Sequence, residues 1–130
     1  MILVDTSVWI DYFNGKNTKK TNLLDSALDG GAVMIGDLIF LEILQGFRND
    51  GDYNTAKRTL SSLDSVELFG NQMVEKCAQN YRFLRKRGIT IRKTADLIIA
   101  TFCIHSKTPL LYSDKDFDPF VKNLKLIEVT

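Results

Sequence analysis

The chain has 130 residues, 45% of them hydrophobic and 25% charged, the balance of a single compact globular domain over residues 1–130. Seventeen Lys and Arg against sixteen Asp and Glu give a formal net charge of +1, which neither announces nor excludes a nucleic-acid partner, because placement matters more than the total. No stretch is apolar for long enough to cross a bilayer, and Met1-Ile2-Leu3-Val4 runs straight into Asp5 without the basic start of a signal peptide, so a cytoplasmic protein is expected. Cys77 and Cys103 lie in apolar helical surroundings with no CxxC or Cys/His spacing, and are expected to be reduced core residues.

Met1 to Val4 reads as a short buried strand. Asp5-Thr6-Ser7 supplies cap residues for a helix through Trp9, Ile10 and Phe13 that Asn14-Gly15 ends. A second helix is predicted over about Thr18 to Leu28, stopped by Gly30-Gly31, then a strand over Ala32 to Ile35. Gly36-Asp37 opens a helix reaching about Arg48, and another follows over about Tyr53 to Leu63. Val66 to Phe69 is predicted as a short strand, Gln72 to Arg87 as a long amphipathic helix, and Thr94 to His105 as a further helix. Pro109 to Tyr112 reads as a strand, Ser113 to Asp118 as a loop and Lys125 to Val129 as a closing strand. Strands alternating with helices predict a three-layer α/β/α sandwich around a central parallel sheet.

Open parallel sheets bind ligands beyond the carboxyl ends of their strands. Asp5 ends the first strand, and Asp114 follows the strand before it. Glu42 lies near the start of a helix that leaves the same edge. Asp96 opens a helix that must run antiparallel to the next strand, which returns its N terminus to that edge. Glu42 and Asp96 are also embedded in apolar runs, where a carboxylate is costly unless paired or bound to a cation. Any one of these acids has an ordinary explanation as a cap or a solvated residue. Four on one edge repel and raise each other's pKa, which a hard divalent ion such as magnesium relieves.

Other catalytic sets do not assemble. His105 is the only histidine and lies near a helix C terminus, where interaction with the last carbonyls is expected; no glycine-rich phosphate loop or GxSxG is present. A phosphatase of the haloacid dehalogenase class would need a second acid at position 7, which is Ser7. A receiver-like phosphoacceptor would need an Asp ending the third strand, where Gly70-Asn71 follows.

Val4-Asp5-Thr6-Ser7-Val8-Trp9-Ile10, Leu41-Glu42-Ile43-Leu44-Gln45-Gly46, Thr94-Ala95-Asp96-Leu97-Ile98-Ile99-Ala100 and Leu111-Tyr112-Ser113-Asp114-Lys115-Asp116-Phe117 resemble, in order, the motifs of PIN-domain proteins of the VapC toxin type. The resemblance implies a PIN-like fold and a Mg2+- or Mn2+-dependent endoribonuclease, with an antitoxin partner and a homodimer. By position, Asp5 and Asp96 would be the principal metal ligands, Glu42 and Asp114 would complete the catalytic pocket, and Asp116 would be an additional acid. Thr6 or Ser7 would bond a ligand or phosphate, or Ser7 would only cap its helix. Hydrolysis at such a site, by water activated at a divalent ion, leaves 5′-phosphate and 3′-hydroxyl ends on RNA. Arg92 and Lys93, just before Asp96, are the expected phosphate guides. For Arg82, Arg85, Lys86 and Arg87, favourable placement at a helix C terminus is the expected explanation.

Overall fold

The apolar run at the N terminus forms strand β1 (Ile2–Val4), an inner strand in the computed structural model, which describes residues 1–130. β2 (Val33–Gly36) pairs parallel with one side of β1, through Ile2 with Val33 and Leu3 with Met34. β3 (Asp64–Val66) pairs with the outer side of β2, and β4 (Leu110–Leu111) with the other side of β1, giving the order β3-β2-β1-β4. Leu3, Val4, Leu110 and Leu111 are fully buried. Strands covered on both faces read as continuous apolar runs for this reason, the terminal strand β4 included.

Seven helices cover the sheet. α1 (Thr6–Phe13), α2 (Lys19–Asp29), α3 (Asp37–Gly46) and α4 (Asp50–Ser61) pack against one another, while α5 (Asn71–Lys86), α6 (Thr94–Ser106) and α7 (Asp118–Leu124) form a second group. The chain steps outward from β1 to β3 and then returns across the sheet to β4. With right-handed crossovers, the two helix groups fall on opposite faces. The reversal of strand order lies between β1 and β4, the position at which such sheets hold their ligands. It also differs from the 2-1-3-4-5 order of receiver-like sheets.

Local chemistry sets the boundaries. Asp5 caps α1, Thr18 and Thr21 form a reciprocal capping box on α2, and Asn49 caps α4 through the Asp52 amide. Trp9 is buried and stacks on Phe13, so the early aromatics serve the core. Six positions of α6, including Asp96, Leu97, Ile99 and Cys103, are buried, as expected of a helix covered on most sides. Both cysteines are buried and unpaired, and burial pushes the Cys103 thiol up to about 12. No helix is long and apolar enough to cross a membrane.

Three expected elements differ. The third strand lies at Asp64–Val66 rather than Val66 to Phe69, because the edge strand pairs through its backbone, Met34 with Asp64 through Gly36 with Val66, and does not need apolar side chains. Leu68 packs instead over Gly36, where an added Cβ would stand 2.5 Å from Leu68 Cδ1. The expected loop after β4 contains a 3₁₀ turn over Lys115–Phe117 and then α7, whose first turn accepts Pro119 because no amide bond is required there. Lys125 to Val129 does not form a strand. β4 offers two residues, and the tail makes one parallel bridge, Leu110 with Glu128.

Candidate metal centre

The site begins where β1 ends. Asp5 Oδ2 accepts the Ser7 amide at 3.2 Å and the Ser7 hydroxyl at 2.7 Å, and Ser7 Oγ accepts the Ser113 amide at 3.4 Å. These bonds tie the exits of β1 and β4 together. Asp5 is 4% exposed, and burial raises its carboxyl above the ordinary range. The Ser7 hydroxyl and the Ser7 and Thr6 amides oppose that rise, while the charge of Glu42 adds to it.

Asp96 lies in the first turn of α6 and is 6% exposed. Its carboxyl is pushed up to about 7, first by burial and then by the charge of Asp5, with Asp114 and Asp116 adding and Lys93 opposing. Asp96 Oδ2 is buried and has no hydrogen-bond partner. A buried acceptor without a donor costs its desolvation and calls for a cation or a proton.

The segment after β4 brings two more acids. Asp114 caps the 3₁₀ turn by accepting the Asp116 amide at 2.9 Å, and this turn folds Asp116 back beside Asp114. One carboxylate oxygen each from Asp96, Asp114 and Asp116 lies within 4.8 Å of the other two. Three hard oxygen donors at that spacing, from acids that include the unpartnered Asp96, fit a divalent cation of the magnesium or manganese type.

Of the acids expected at this edge, Asp96 and Asp114 are thus brought together, and Asp116 joins them. Asp5 stands outside that triad but close enough to raise Asp96 by its charge. Glu42, half-buried on α3, accepts the Thr6 hydroxyl at 2.8 Å and adjoins the triad through Asp5. The hydroxyls of Thr6 and Ser7 therefore both face acids, and the cap of α1 is Asp5 rather than Ser7.

Arg92 and Lys93 reach the acidic edge, with their side chains on its carboxylates. Arg92 Nη2 lies 3.0 and 3.1 Å from the two oxygens of Asp116, and Lys93 Nζ lies 3.4 Å from Asp114 Oδ2. The charges of Asp114 and Asp96 hold the Lys93 ammonium above its usual pKa. Lys20 is an addition. Its amine donates to the Tyr112 carbonyl and sits 5.0 Å from the Tyr112 ring centroid, which fixes the end of β4 just before Asp114. A lysine in the first turn of an amphipathic helix gives no sequence signal for such a contact. His105 is exposed and makes no hydrogen bond to the end of α6, where Ser106 Oγ donates to the Phe102 carbonyl.

Comparison with known proteins places these observations in a family. A family model described as PIN domain matches residues 2–122. Ribonuclease VapC11 from Mycobacterium tuberculosis is 31% identical over 120 residues, covering 91% of this chain and 90% of that protein. Among solved structures, VapBC2 from Rickettsia felis, bound to a DNA fragment from its promoter, superposes with a TM-score of 0.78 at 18% identity, over 99% of this chain and 98% of the other. DNA-bound VapBC from Salmonella typhimurium gives 0.76 at 15% identity, over 99% and 98%.

Proposed function

The chain belongs to the PIN-domain family, and on that premise we propose that it is a single-domain, Mg2+- or Mn2+-dependent endoribonuclease and the toxin of a toxin–antitoxin pair. One observation carries the metal part of this reading, the Asp96, Asp114 and Asp116 oxygens within 4.8 Å of one another. The orphaned Asp96 Oδ2 supports it. The ribonuclease part is supported by the relative named ribonuclease VapC11.

Asp96, Asp114 and Asp116 would hold the ion, with Asp5 beside them. A bound divalent ion supplies Lewis-acid polarisation of a phosphodiester, a lowered pKa for water and charge stabilisation of the leaving oxygen. The chain's own groups do the rest. Glu42, steadied by Thr6, orients the attacking water and takes up its proton, which suits a carboxylate outside the ligand triad. Arg92 and Lys93 exchange their carboxylate partners for the substrate phosphate, offsetting the repulsion between RNA and the acids.

An antitoxin is the expected partner. Ile10 is 43% and Leu41 56% exposed on α1 and α3, and Ile10, Ile43 and Phe47 line a groove between those helices. Exposed apolar surface of this kind fits a partner's apolar segment. The resemblance to VapC-type toxins further supports a homodimer in the cytoplasm, which sedimentation of the purified protein tests for the oligomer.

The proposal is tested by incubating the purified chain with a defined RNA, with magnesium, with manganese and with EDTA, and sequencing the product ends. Cleavage that requires either ion and leaves 5′-phosphates is expected. Undiminished cleavage in EDTA, or cyclic phosphate ends, would sink it.

A further inference from the structure

The overall charge of +1 conceals an asymmetry. Arg82, Arg85, Lys86, Arg87, Arg92 and Lys93 place six of the chain's seventeen basic residues within positions 82–93, and none of its sixteen acidic residues falls there. The remainder of the chain is net acidic. Arg92 and Lys93 are occupied by Asp116 and Asp114, but Arg82, Arg85, Lys86 and Arg87 are exposed and take part in no ion pair.

The packing of α5 on α6 fixes where this tract lies. Gln72 and Met73 share a groove with Phe102 and His105, and Asn80 Nδ2 donates to Thr101 Oγ1 at 3.1 Å. Rising numbers on α5 thus meet falling numbers on α6, so the helices are antiparallel. The C-terminal end of α5 lies beside the N-terminal end of α6, at the edge that carries Asp96. Arg87 is six residues from Lys93, so their Cα atoms are at most about 22 Å apart.

Placement at a helix C terminus explains only part of the tract. The dipole effect is confined to the last turn, which holds Arg85 and Lys86. Arg82 stands a turn earlier, and like charges at positions 82 and 86 oppose the helix. Two of the guanidiniums are also steadied by aromatic rings, Arg87 at 4.4 Å from the Phe83 centroid and Arg85 at 5.6 Å from that of Tyr81. Ring contact fixes the cations while leaving their N–H groups free for phosphate. Phe83 is itself 37% exposed, a face on which an unpaired base can stack.

We infer that Arg82, Arg85, Lys86 and Arg87 at the end of α5 form the docking surface for single-stranded RNA that runs on into the acidic site. The inference rests on the ribonuclease reading for its choice of RNA. It assigns to these residues phosphate contacts away from the scissile bond, so their effect is on binding and its salt dependence.

The test is fluorescence anisotropy of the full chain with a labelled single-stranded RNA in EDTA, over a range of salt concentrations. The Arg82→Gln/Arg85→Gln/Lys86→Gln/Arg87→Gln variant should bind more than about tenfold more weakly at moderate salt, with the slope of log affinity against log salt reduced by about 3. Lys57→Gln/Arg58→Gln, on the exposed surface of α4, should match the native chain, and circular dichroism confirms that both variants are folded. Unchanged affinity and slope in the quadruple variant, or an equal loss in the α4 variant, would overturn the inference. A native chain that cleaves RNA with magnesium while the quadruple variant binds unchanged removes this inference alone. A native chain that binds through the tract yet cleaves no RNA removes the ribonuclease reading alone.

Discussion

Thr6 Oγ1 donates to Glu42 Oε1 at 2.8 Å, so the first residue of α1 holds the second acid of α3 in place next to Asp5. Thr6→Val keeps the shape and removes the donor. It should cost about 0.5–1.5 kcal/mol of stability in denaturant titration. It should also lower RNA cleavage by about tenfold, because Glu42 loses its fixed position. Thr6→Ser should retain both.

Asp96 makes the metal-free protein sensitive to pH. Its ordinary pKa of 3.8 rises to about 7 in the folded chain. The folded state therefore binds the proton more tightly than the unfolded state, and stability is lost as pH rises from about 4 to about 7. Asp96→Asn removes the penalty. In EDTA it should stabilise the protein by about 1–3 kcal/mol at pH 8, and by less at pH 5. Equal effects at the two pH values in thermal melts would contradict the assignment.

The same proton competes with a cation. Below about 7, a divalent ion at this site must displace it from Asp96. Magnesium affinity measured by calorimetry should fall between pH 8 and pH 6, approaching about tenfold per pH unit once Asp96 is protonated. An affinity independent of pH would place the ion elsewhere.

Gly36 tests the packing that carries the site rather than the site itself. A Cβ there would meet Leu68 Cδ1 at 2.5 Å, in a part of the core where Leu68 is fully buried. Gly36→Ala should destabilise the fold by about 1–3 kcal/mol. Leu68→Ala should cost less in the Gly36→Ala chain than in the native one, a coupling read by urea titration of the four chains.

The sequence made the site's edge legible while leaving the rank of its acids open. Strand–helix alternation and the rule that parallel sheets bind ligands at their carboxyl edge locate Asp5, Glu42, Asp96 and Asp114. The approach of Asp116 to Asp96 depends on a 3₁₀ turn capped by Asp114, a local fold with no period to detect, so sequence alone offers Asp116 only as an additional acid. The apolar neighbours of Glu42 point to a costly carboxylate; in the structure it is half-buried and accepts the Thr6 hydroxyl, a long-range contact with no local signal. β3 was displaced because Asp64 and Ser65 pair at a sheet edge by backbone alone, while the apolar Leu68 and Phe69 suggested a strand. α7 was hidden by Asp118-Pro119, which reads as a turn yet opens a helix.

If the acids at this edge hold the ion on which RNA cleavage depends, neutralising them must slow cleavage without unfolding the chain. The most direct measurement is the cleavage rate of the native chain, Asp5→Asn and Asp96→Asn on one RNA at saturating magnesium, with folding checked by circular dichroism. Both folded variants should be slower by more than about 100-fold. A folded Asp96→Asn that cleaves at the native rate would contradict this dependence.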